Sequence, residues 1–433
     1  MDWTEQARYK IREERIGAML FDRKTGVATE LDEDEYQKIR SGKSAAHRYL
    51  WDTTGSRLFN EYKSECAREK LPNDCLSAPS KAYIELTRGC NLRCKHCYNK
   101  SGEGAKQEIP KQDAIRLIDE LERMGTFEVR FTGGEATTHP QFQEIAAHAR
   151  QAGLNISLGT NGIWDEKTLA KVKECRFNTI IVSIDGPKEN NDPVRGAGTY
   201  DKAVKTLKEA KSWDGPMIKI NCVISKDNMG AVEHIVRLAD DIGAEAVNFA
   251  TLKLNGRADQ SEQIALTPSD MKKIVTKISE LRKSCKTKIH TYMDVIDPPS
   301  KPTFQGSLIN KKSCAAGIEA AAIMANGAIS GCVVSPANDE TKEGNNIFKS
   351  GHIREGSFKN IWLDSKRWKT FRDLESNKSA KCKTCKFYKK TCFGNCPVSS
   401  YLSGGTVSAD DPECFTELIE GCEKTTTEAR MDT

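Results

Sequence analysis

The stretch KAYIELTRGCNLRCKHCY, residues 81 to 98, joins a short strand-like segment to a loop that contains three cysteines. Residues 81–87 contain Tyr, Ile and Thr and end in a polar turn, which predicts a β-strand. Cys90, Cys94 and Cys97 follow at once, separated by three and two residues. A closed tetrahedral metal site or a closed iron–sulfur cluster takes about four protein ligands. The loop therefore predicts a metal centre with one position left for another ligand.

The alternation of strand and helix patterns continues along the chain as far as Cys285. After residues 81–87, five more strands are predicted, at residues 128–133, 156–161, 179–185, 218–225 and 245–253. Each of the six strands is followed by an amphipathic stretch of helical period. Six successive βα units predict an α/β fold with a parallel sheet, either an open doubly wound sheet or a partial (β/α)6 barrel. In both, the loops after the strands carry the site.

Charge and composition exclude several classes of protein. The 433 residues include 66 Lys plus Arg and 61 Asp plus Glu, and the net charge of +5 contains no long basic block. We therefore expect no nucleic-acid partner. The N-terminus is polar, and no uncharged run reaches the roughly 20 residues of a membrane span, so we expect a cytoplasmic protein without a membrane partner. In a reducing compartment, 16 cysteines predict metal ligands more readily than disulfides.

A second group of cysteines lies beyond residue 300, where the periodic pattern fades. The group consists of Cys314, Cys332, Cys382, Cys385, Cys392, Cys396 and Cys414. Seven ordered cysteines are too many for one metal ion. A loop-rich segment organised by two iron–sulfur clusters and a zinc ribbon with two ions are the alternatives.

These patterns together resemble the radical S-adenosylmethionine (SAM) enzymes. CNLRCKHCY, residues 90–98, matches their CxxxCxxC signature, and their partial (β/α)6 barrel matches the six βα units. The resemblance implies that Cys90, Cys94 and Cys97 bind a 4Fe-4S cluster whose open iron is chelated by SAM. The reduced cluster would cleave SAM to a 5′-deoxyadenosyl radical that abstracts hydrogen from the substrate. A zinc loop or buried structural cysteines are the competing interpretation of the loop alone.

The same resemblance implies a set of SAM contacts at the ends of the predicted strands. Glycines let a ligand approach the backbone, and a carboxylate accepts hydrogen bonds from an ammonium group. Gly133, Gly134 and Glu135 resemble the GGE motif that holds the methionyl amino group. The other expected contacts are His96 beside the adenine, Asn161, Ser183 and Asp185 near the carboxylate and ribose, and Arg195 near the carboxylate. Taken singly, each polar residue could equally be a helix cap or a turn former.

The C-terminal cysteine spacing is similar to that of the SPASM domain, which holds two auxiliary 4Fe-4S clusters. The chain has six residues between Cys385 and Cys392, where the family usually has five. The resemblance assigns Cys314, Cys332 and Cys396 to auxiliary cluster I, and Cys382, Cys385, Cys392 and Cys414 to auxiliary cluster II. Some members have a further ligand where this chain has Leu308. Auxiliary cluster I would then have an open iron or a remote ligand such as Cys285.

The expected organisation is a small N-terminal α+β module, a barrel, a bridging region, a SPASM domain and a tail. The corresponding boundaries are 1–79, 80–285, 286–313, 314–422 and 423–433. Within the module, residues 17–31 predict a hairpin and residues 32–40 predict a helix. Peptide maturases often carry a leader-recognition domain at this position, and a simple extension that covers the barrel is the alternative.

The resemblance implies an oxidoreductase-type enzyme that abstracts hydrogen from a ribosomally made peptide and forms a thioether or carbon–carbon cross-link. Its expected partners are the precursor peptide or protein and a reductant such as ferredoxin or flavodoxin. A sulfatase-type (formylglycine) maturase, with Asp294 or Asp297 as a base, and an enzyme acting on a haem precursor are alternatives. An iron–sulfur or zinc scaffold is the alternative from a different class, although a scaffold has no use for a SAM site. No catalytic side chain can be assigned from the sequence.

Overall fold

A computed structural model describes most of the chain, and every structural statement below refers to the residues that it describes. These are residues 7–15, 17–42, 59–62, 71–102, 104, 107–260, 262–291, 314–338, 346–373 and 375–419. Leu308, Asp294 and Asp297 lie outside them, as do most of the expected bridging region and the whole tail.

The N-terminal residues form a four-stranded sheet in the order β3-β2-β1-β4. Its strands are β1 (Tyr9–Glu14), β2 (Gly17–Asp22), β3 (Val27–Leu31) and β4 (Phe59–Tyr62). The predicted hairpin is confirmed as β2 and β3, and Gly26 adopts a φ of 66° in the turn between them. The predicted helix is α1 (Glu33–Arg40), whose first turn is capped by Asp32. Strands β1 and β4 had no clear sequence pattern.

The centre of the molecule is a ten-stranded sheet, and the predicted α/β class is confirmed. Its strands are β5 (Lys81–Thr87), β6 (Glu128–Gly133), β7 (Asn155–Thr160), β8 (Thr179–Ser183), β9 (Met217–Ile224), β10 (Ala246–Thr251), β11 (Lys288–Thr291), β12 (Ala320–Ile323), β13 (Ala328–Ser330) and β14 (Gly351–His352). Strands β5 to β11 pair in parallel in chain order, and β12 pairs in parallel with the free edge of β5. The described strands do not close into a barrel.

Helices connect these parallel strands and cover the sheet. They are α2 (Lys111–Arg123), α3 (Phe142–Gln151), α4 (Glu166–Cys175), α5 (Lys188–Arg195), α6 (Thr199–Lys211), α7 (Val232–Ile242) and α8 (Pro268–Arg282). Helix α2 buries Leu117, Ile118 and Leu121, which share the predicted apolar face. The cysteines Cys175 and Cys222 are buried in the same core, as expected of structural residues. Six of these helices were predicted, and α5 was not.

The N-terminal sheet packs directly on the central one. The rings of Phe21 and Phe127 stack with their centroids 5.0 Å apart, and both side chains are buried. The buried guanidinium of Arg12 donates a hydrogen bond to the carbonyl of Gly125 at 3.0 Å. These contacts fix the small sheet against the amino-terminal end of β6 and leave the carboxyl ends of the parallel strands to the site.

The C-terminal residues add short helices around β12 to β14. These helices are α9 (Phe358–Leu363), α10 (Lys369–Arg372), α11 (Ala380–Thr384) and α12 (Pro397–Gly404). Trp362 and Trp368 are fully buried and pack edge to face, with ring centroids 5.1 Å apart. The indole of Trp362 donates to the carbonyl of Leu76 at 2.8 Å. The segment is therefore anchored to the sheet.

Candidate active site

The turn after β6 lies against the loop that carries the first three cysteines. The backbone amide of Gly134 donates to the carbonyl of Thr87 at 2.7 Å, and that of Glu135 donates to the carbonyl of Gly89 at 2.9 Å. A Cβ atom on Gly134 would lie 2.3 Å from the Gly89 oxygen, and one on Gly133 would lie 2.4 Å from the Thr87 oxygen. Only glycines allow this close approach of the two backbones.

The carboxylate of Glu135 is fully buried and tied to the end of β7. It accepts hydrogen bonds from the Thr160 hydroxyl at 2.9 Å, the Asn161 backbone amide at 2.8 Å and the Thr137 hydroxyl at 2.8 Å. Burial raises the pKa of Glu135, while these donors act in the opposite direction. The side-chain amide of Asn161 donates to the Asn91 side chain at 2.7 Å and lies 3.8 Å from the Cys90 sulfur. Glu135, Asn161 and the cysteine loop thus form one contiguous group.

A second group forms around Asp185, just after β8. Arg195 grips its carboxylate with two hydrogen bonds, Nε to Oδ2 at 2.6 Å and Nη2 to Oδ1 at 3.1 Å. His96 Nε2 lies 2.8 Å from Oδ2, and the Val223 backbone amide donates to Oδ1 at 2.9 Å. Burial alone would raise the pKa of Asp185, but Arg195 and His96 hold it well below its usual range. Asp185 is therefore an anion that positions a histidine from the cysteine loop.

The turn that follows β10 holds the cysteine loop from the other side. The backbone amide of Arg257 donates to the carbonyl of Cys97 at 2.9 Å, and its Nε donates to the carbonyl of Cys94 at 2.8 Å. Gly256 has a φ of 68°, and a Cβ atom there would lie 2.2 Å from the Tyr98 carbonyl oxygen. Residues 254–257 therefore hold the backbone of the cysteine loop in place.

Some predicted residues have other partners in the structure. Ser183 is half-buried at the end of β8, and among the described residues its hydroxyl has no recorded hydrogen bond. Asp192 lies three residues before Arg195 in α5 and accepts from the backbone amides of Gly198 at 2.7 Å and Tyr200 at 2.9 Å. Cys285 precedes β11 at the opposite edge of the sheet, and its thiol donates to the Thr287 carbonyl at 3.2 Å. The structure offers no support for Cys285 as a remote ligand.

Among the seven C-terminal cysteines, the structure brings thiols close together in two places. Burial raises the pKa of Cys332 to about 12, and the thiols of Cys396 and Cys314 are close enough to raise it further. Burial likewise raises the pKa of Cys392 to about 11, with Cys382, Cys414 and Cys385 as its thiol neighbours. A cavity of about 70 Å³ is lined by all four cysteines of the second group, Cys382, Cys385, Cys392 and Cys414.

Lys378 lies between the two groups, and sequence reasoning missed it. Its side chain is 4% exposed, and its ammonium donates to the carbonyl of Asn395 at 3.2 Å. Burial lowers the pKa of Lys378, and thiols from both groups, Cys382 and Cys314 first among them, oppose that effect. The only sequence signal was a lysine four residues before Cys382. A buried cation at this position faces the sulfur atoms of both groups.

A buried ion pair joins the end of β10 to the residue before Cys414. Lys253, just after β10, contacts the Glu413 carboxylate at 3.0 Å, and both side chains are about one-tenth exposed. The Thr251 hydroxyl donates to the same carboxylate at 2.8 Å. Because Glu413 immediately precedes Cys414, this contact fixes the second cysteine group relative to the strand ends.

The arrangement fits an iron–sulfur cluster with a bound organic cofactor. Three cysteines share one loop, two glycines let the turn after β6 approach that loop closely, and a buried carboxylate and a histidine held by Asp185 lie beside it. His96 Nδ1 is buried and has no hydrogen-bond partner among the described residues, so it is available to a ligand.

Family models match the two halves of this arrangement. The model of the radical SAM superfamily matches residues 84–239, and that of the SPASM iron–sulfur cluster-binding domain matches residues 314–386. A curated relative, the AdoMet-dependent heme synthase of Methanosarcina barkeri, is 30% identical over 351 residues, which cover 78% of this chain and 97% of the relative. The chain belongs to the radical SAM superfamily. This radical SAM enzyme uses a 4Fe-4S cluster with SAM, and its SPASM domain holds auxiliary iron–sulfur clusters.

Two further proteins are similar to this radical SAM enzyme. The mycofactocin maturase MftC of Mycolicibacterium smegmatis is 27% identical over 343 residues, covering 78% of this chain and 83% of the relative. Streptococcus suis SuiB, solved with SAM and with its precursor peptide SuiA, has the same fold. The peptide-bound SuiB structure aligns with a TM-score of 0.71 at 17% identity, over 94% of this chain and 98% of that chain.

Over the described part of the radical SAM enzyme, no helix has both the length and the apolar character needed to cross a bilayer.

Proposed function

We propose that this radical SAM/SPASM enzyme modifies a ribosomally made precursor peptide and forms an oxidative thioether or carbon–carbon cross-link. The observation that carries the proposal is the N-terminal module, β1 to β4 with α1, packed on the barrel. The SuiB structure aligns with 94% of this chain. The residues left unaligned are fewer than those of the N-terminal module, so the alignment includes at least part of that module. The aligned SuiB structure contains its precursor peptide SuiA, so the shared N-terminal residues support a peptide as the substrate.

The cofactor sites in this proposal use the groups described above. Cys90, Cys94 and Cys97 would hold the first cluster, and together with SAM it supplies the hydrogen-abstracting radical. The buried carboxylate of Glu135 would accept hydrogen bonds from the methionyl ammonium, because its anionic form is already oriented by Thr160. Asn161, held beside Cys90, would contact the methionyl carboxylate.

The Asp185 group would hold the other end of SAM. His96 Nε2 is held by Asp185, so its ring is fixed and the unpartnered Nδ1 would be available to the adenine. Arg195 is held by the same carboxylate, and we propose that it positions Asp185 rather than contacts SAM directly. Ser183 would contact the ribose from the end of β8. In this proposal the buried carboxylate of Asp185 orients both His96 and Arg195.

The auxiliary clusters would be held by the two C-terminal cysteine groups. Cys314, Cys332 and Cys396 would bind auxiliary cluster I, and Cys382, Cys385, Cys392 and Cys414 would bind auxiliary cluster II. The second set lines one cavity, and its Asn395 neighbour donates a backbone hydrogen bond to the Cys382 sulfur at 3.2 Å. Such donors stabilise a bound thiolate. Two clusters could carry away the electron that the substrate loses, and a reductant such as ferredoxin or flavodoxin would reload the first cluster.

A haem precursor is the second candidate substrate. The heme synthase of Methanosarcina barkeri is 30% identical, a slightly higher value than the 27% of MftC. This second function does not explain the N-terminal module. It would make that module a covering layer of the barrel.

The deciding experiment supplies both substrate classes to the reconstituted, reduced enzyme with SAM. One reaction contains each short cysteine-containing peptide that the neighbouring genes prove to encode, and the other contains a haem precursor. We expect the peptide alone to change, losing two hydrogen atoms per cross-link by mass spectrometry. Consumption of the haem precursor with an unchanged peptide would contradict the proposal.

A further inference from the structure

A cleft of about 750 Å³ lies between the N-terminal module and the barrel. It is remote from the proposed cofactor sites, because its barrel residues lie where α4 leads into β8 and where α6 leads into β9. These connections enter the amino-terminal ends of the strands, whereas the cysteine loop leaves a carboxyl end. A cleft of this volume holds a small organic molecule or a short stretch of polypeptide.

The lining of the cleft is strongly cationic. Among the described residues, three segments of the lining contribute five basic side chains, Arg8, Arg23, Lys24, Lys173 and Arg176, against one acidic side chain, that of Asp214. Arg8 is already paired with Asp22 at 2.7 Å. Burial lowers the pKa of Arg23 to about 10, so its guanidinium remains charged at neutral pH. An anionic ligand therefore suits the cleft.

Two further features favour a polypeptide over a compact phosphate. Helix α4 presents its C-terminal end to the cleft, where Arg176 caps the helix in the left-handed conformation with a φ of 51°. Phosphate sites use the opposite end of a helix, whose free amides face the ligand. The lining also contains the partly buried indole of Trp213, with the Lys173 ammonium 5.8 Å from its ring. Separated cations and an aromatic surface match acidic side chains spaced along a chain with apolar residues between them.

We propose that this cleft binds an acidic segment of the precursor peptide, outside the part that is modified. The inference rests on the proposed function, since it supplies the peptide with a docking site shared by the N-terminal module and the barrel. Arg8, Arg23 and Lys24 come from the module, while Lys173 and Arg176 come from the barrel. Peptide binding would consequently depend on side chains of both the N-terminal module and the barrel.

The test uses the full-length, cluster-loaded enzyme and a short fluorescein-labelled peptide in which Glu and Ala alternate. A counterpart with Gln in place of Glu is the uncharged probe. The variant Lys173→Glu/Arg176→Glu reverses two charges of the cleft. Its matched control, Lys283→Glu/Lys286→Glu, makes the same charge change at exposed positions after α8. Fluorescence anisotropy measures the dissociation constants at low and high salt.

We expect the acidic peptide to bind the wild type more tightly than the Gln peptide, with an affinity that falls as salt rises. The cleft variant should lose about tenfold or more in affinity, and the control variant less than about twofold. Equal affinities for the two peptides, or equal losses in the two variants, would overturn the inference. Displacement of the peptide by ATP at far lower concentration than by free acidic peptide would indicate a phosphate site and overturn it as well.

A separate readout distinguishes this inference from the proposed function. Lys173 and Arg176 contact no proposed cofactor residue, so we expect SAM cleavage without peptide to be unchanged in the cleft variant. If the acidic peptide binds as expected but no peptide is ever modified, the proposed function fails while the cleft stands. If peptides are modified equally well by the cleft variant and the wild type at limiting peptide concentration, the cleft inference fails alone.

Discussion

Arg195 and Asp185 form a bidentate pair, with Nε–Oδ2 and Nη2–Oδ1 distances of 2.6 and 3.1 Å, and both side chains are buried. The sequence resemblance directed Arg195 toward the SAM carboxylate. In the structure, the Arg195 guanidinium instead contacts the carboxylate of Asp185, ten residues earlier, and this carboxylate also contacts His96. SAM binding should therefore depend on Asp185 as the centre of the group.

The variant Asp185→Asn tests this dependence. Loss of the carboxylate leaves the buried guanidinium of Arg195 without a counter-ion and releases the His96 ring. Breaking a buried ion pair in this way costs roughly 3–5 kcal/mol of folding free energy. We expect a lower thermal midpoint and at least about tenfold weaker SAM binding to the reconstituted protein by equilibrium dialysis. Asp201→Asn is the control, since Asp201 pairs with Lys188 on the surface. Wild-type SAM affinity in Asp185→Asn would refute the positioning role.

Gly134→Ala should disconnect the turn after β6 from the cysteine loop. The new Cβ would lie 2.3 Å from the Gly89 carbonyl oxygen, so the two backbones must separate. We expect SAM binding and SAM cleavage to fall strongly while the iron content attributed to the auxiliary clusters is retained. Gly230→Ala is the matched control, because no atom lies within 4 Å of a Cβ atom at that position. An active Gly134→Ala enzyme would contradict the proposed tight approach.

Lys378→Met should shift the reduction potentials of the auxiliary clusters. A buried positive charge stabilises the reduced, more negative cluster, so its removal should move at least one midpoint potential to a more negative value. Redox titration followed by electron paramagnetic resonance measures the shift. Lys383→Met removes an exposed charge that water screens, and we expect no shift there. Lys378→Arg should restore the potential, which separates the charge effect from a packing defect.

Glu319 predicts a pH dependence of stability. Burial, with help from Glu30, raises the pKa of Glu319 to about 8, while an unfolded glutamate titrates near 4.3. Between these values the folded state holds a proton that the unfolded state has released, so this residue lowers stability as pH rises from about 4 to about 8. Glu319→Gln should match the wild type at about pH 5 and exceed its thermal midpoint at about pH 8. A variant that is equally stable or less stable at the higher pH would contradict the assignment.

The sequence predicted local structure well, because local patterns determine it. The runs at 81–87 and 128–133 became β5 and β6 with unchanged bounds, since β-branched residues and terminal glycines define such strands without help from distant contacts. The pairing of β12 with β5 joins residues more than 200 positions apart, and no short pattern encodes it. That pairing brings the C-terminal cysteines to the sheet.

Only part of the candidate site could likewise be predicted from the sequence. Gly133, Gly134 and Glu135 were located by their resemblance to a family motif after a strand, and the close approach of the two backbones explains why two glycines are needed there. The partner of Arg195 could not be predicted, since a guanidinium suits a ligand carboxylate and a protein carboxylate equally. Lys378 was equally hidden, because a lysine among other lysines carries no signal of burial until the fold encloses it.

The most direct test of the account measures iron and SAM cleavage together. Wild type and a Cys90→Ala/Cys94→Ala/Cys97→Ala variant are reconstituted without oxygen, analysed for iron and sulfide, reduced, and assayed for 5′-deoxyadenosine. The account predicts about twelve irons in the wild type and about eight in the variant, with cleavage lost only in the variant. Zinc in place of iron, or no cleavage by fully loaded wild type, would contradict it.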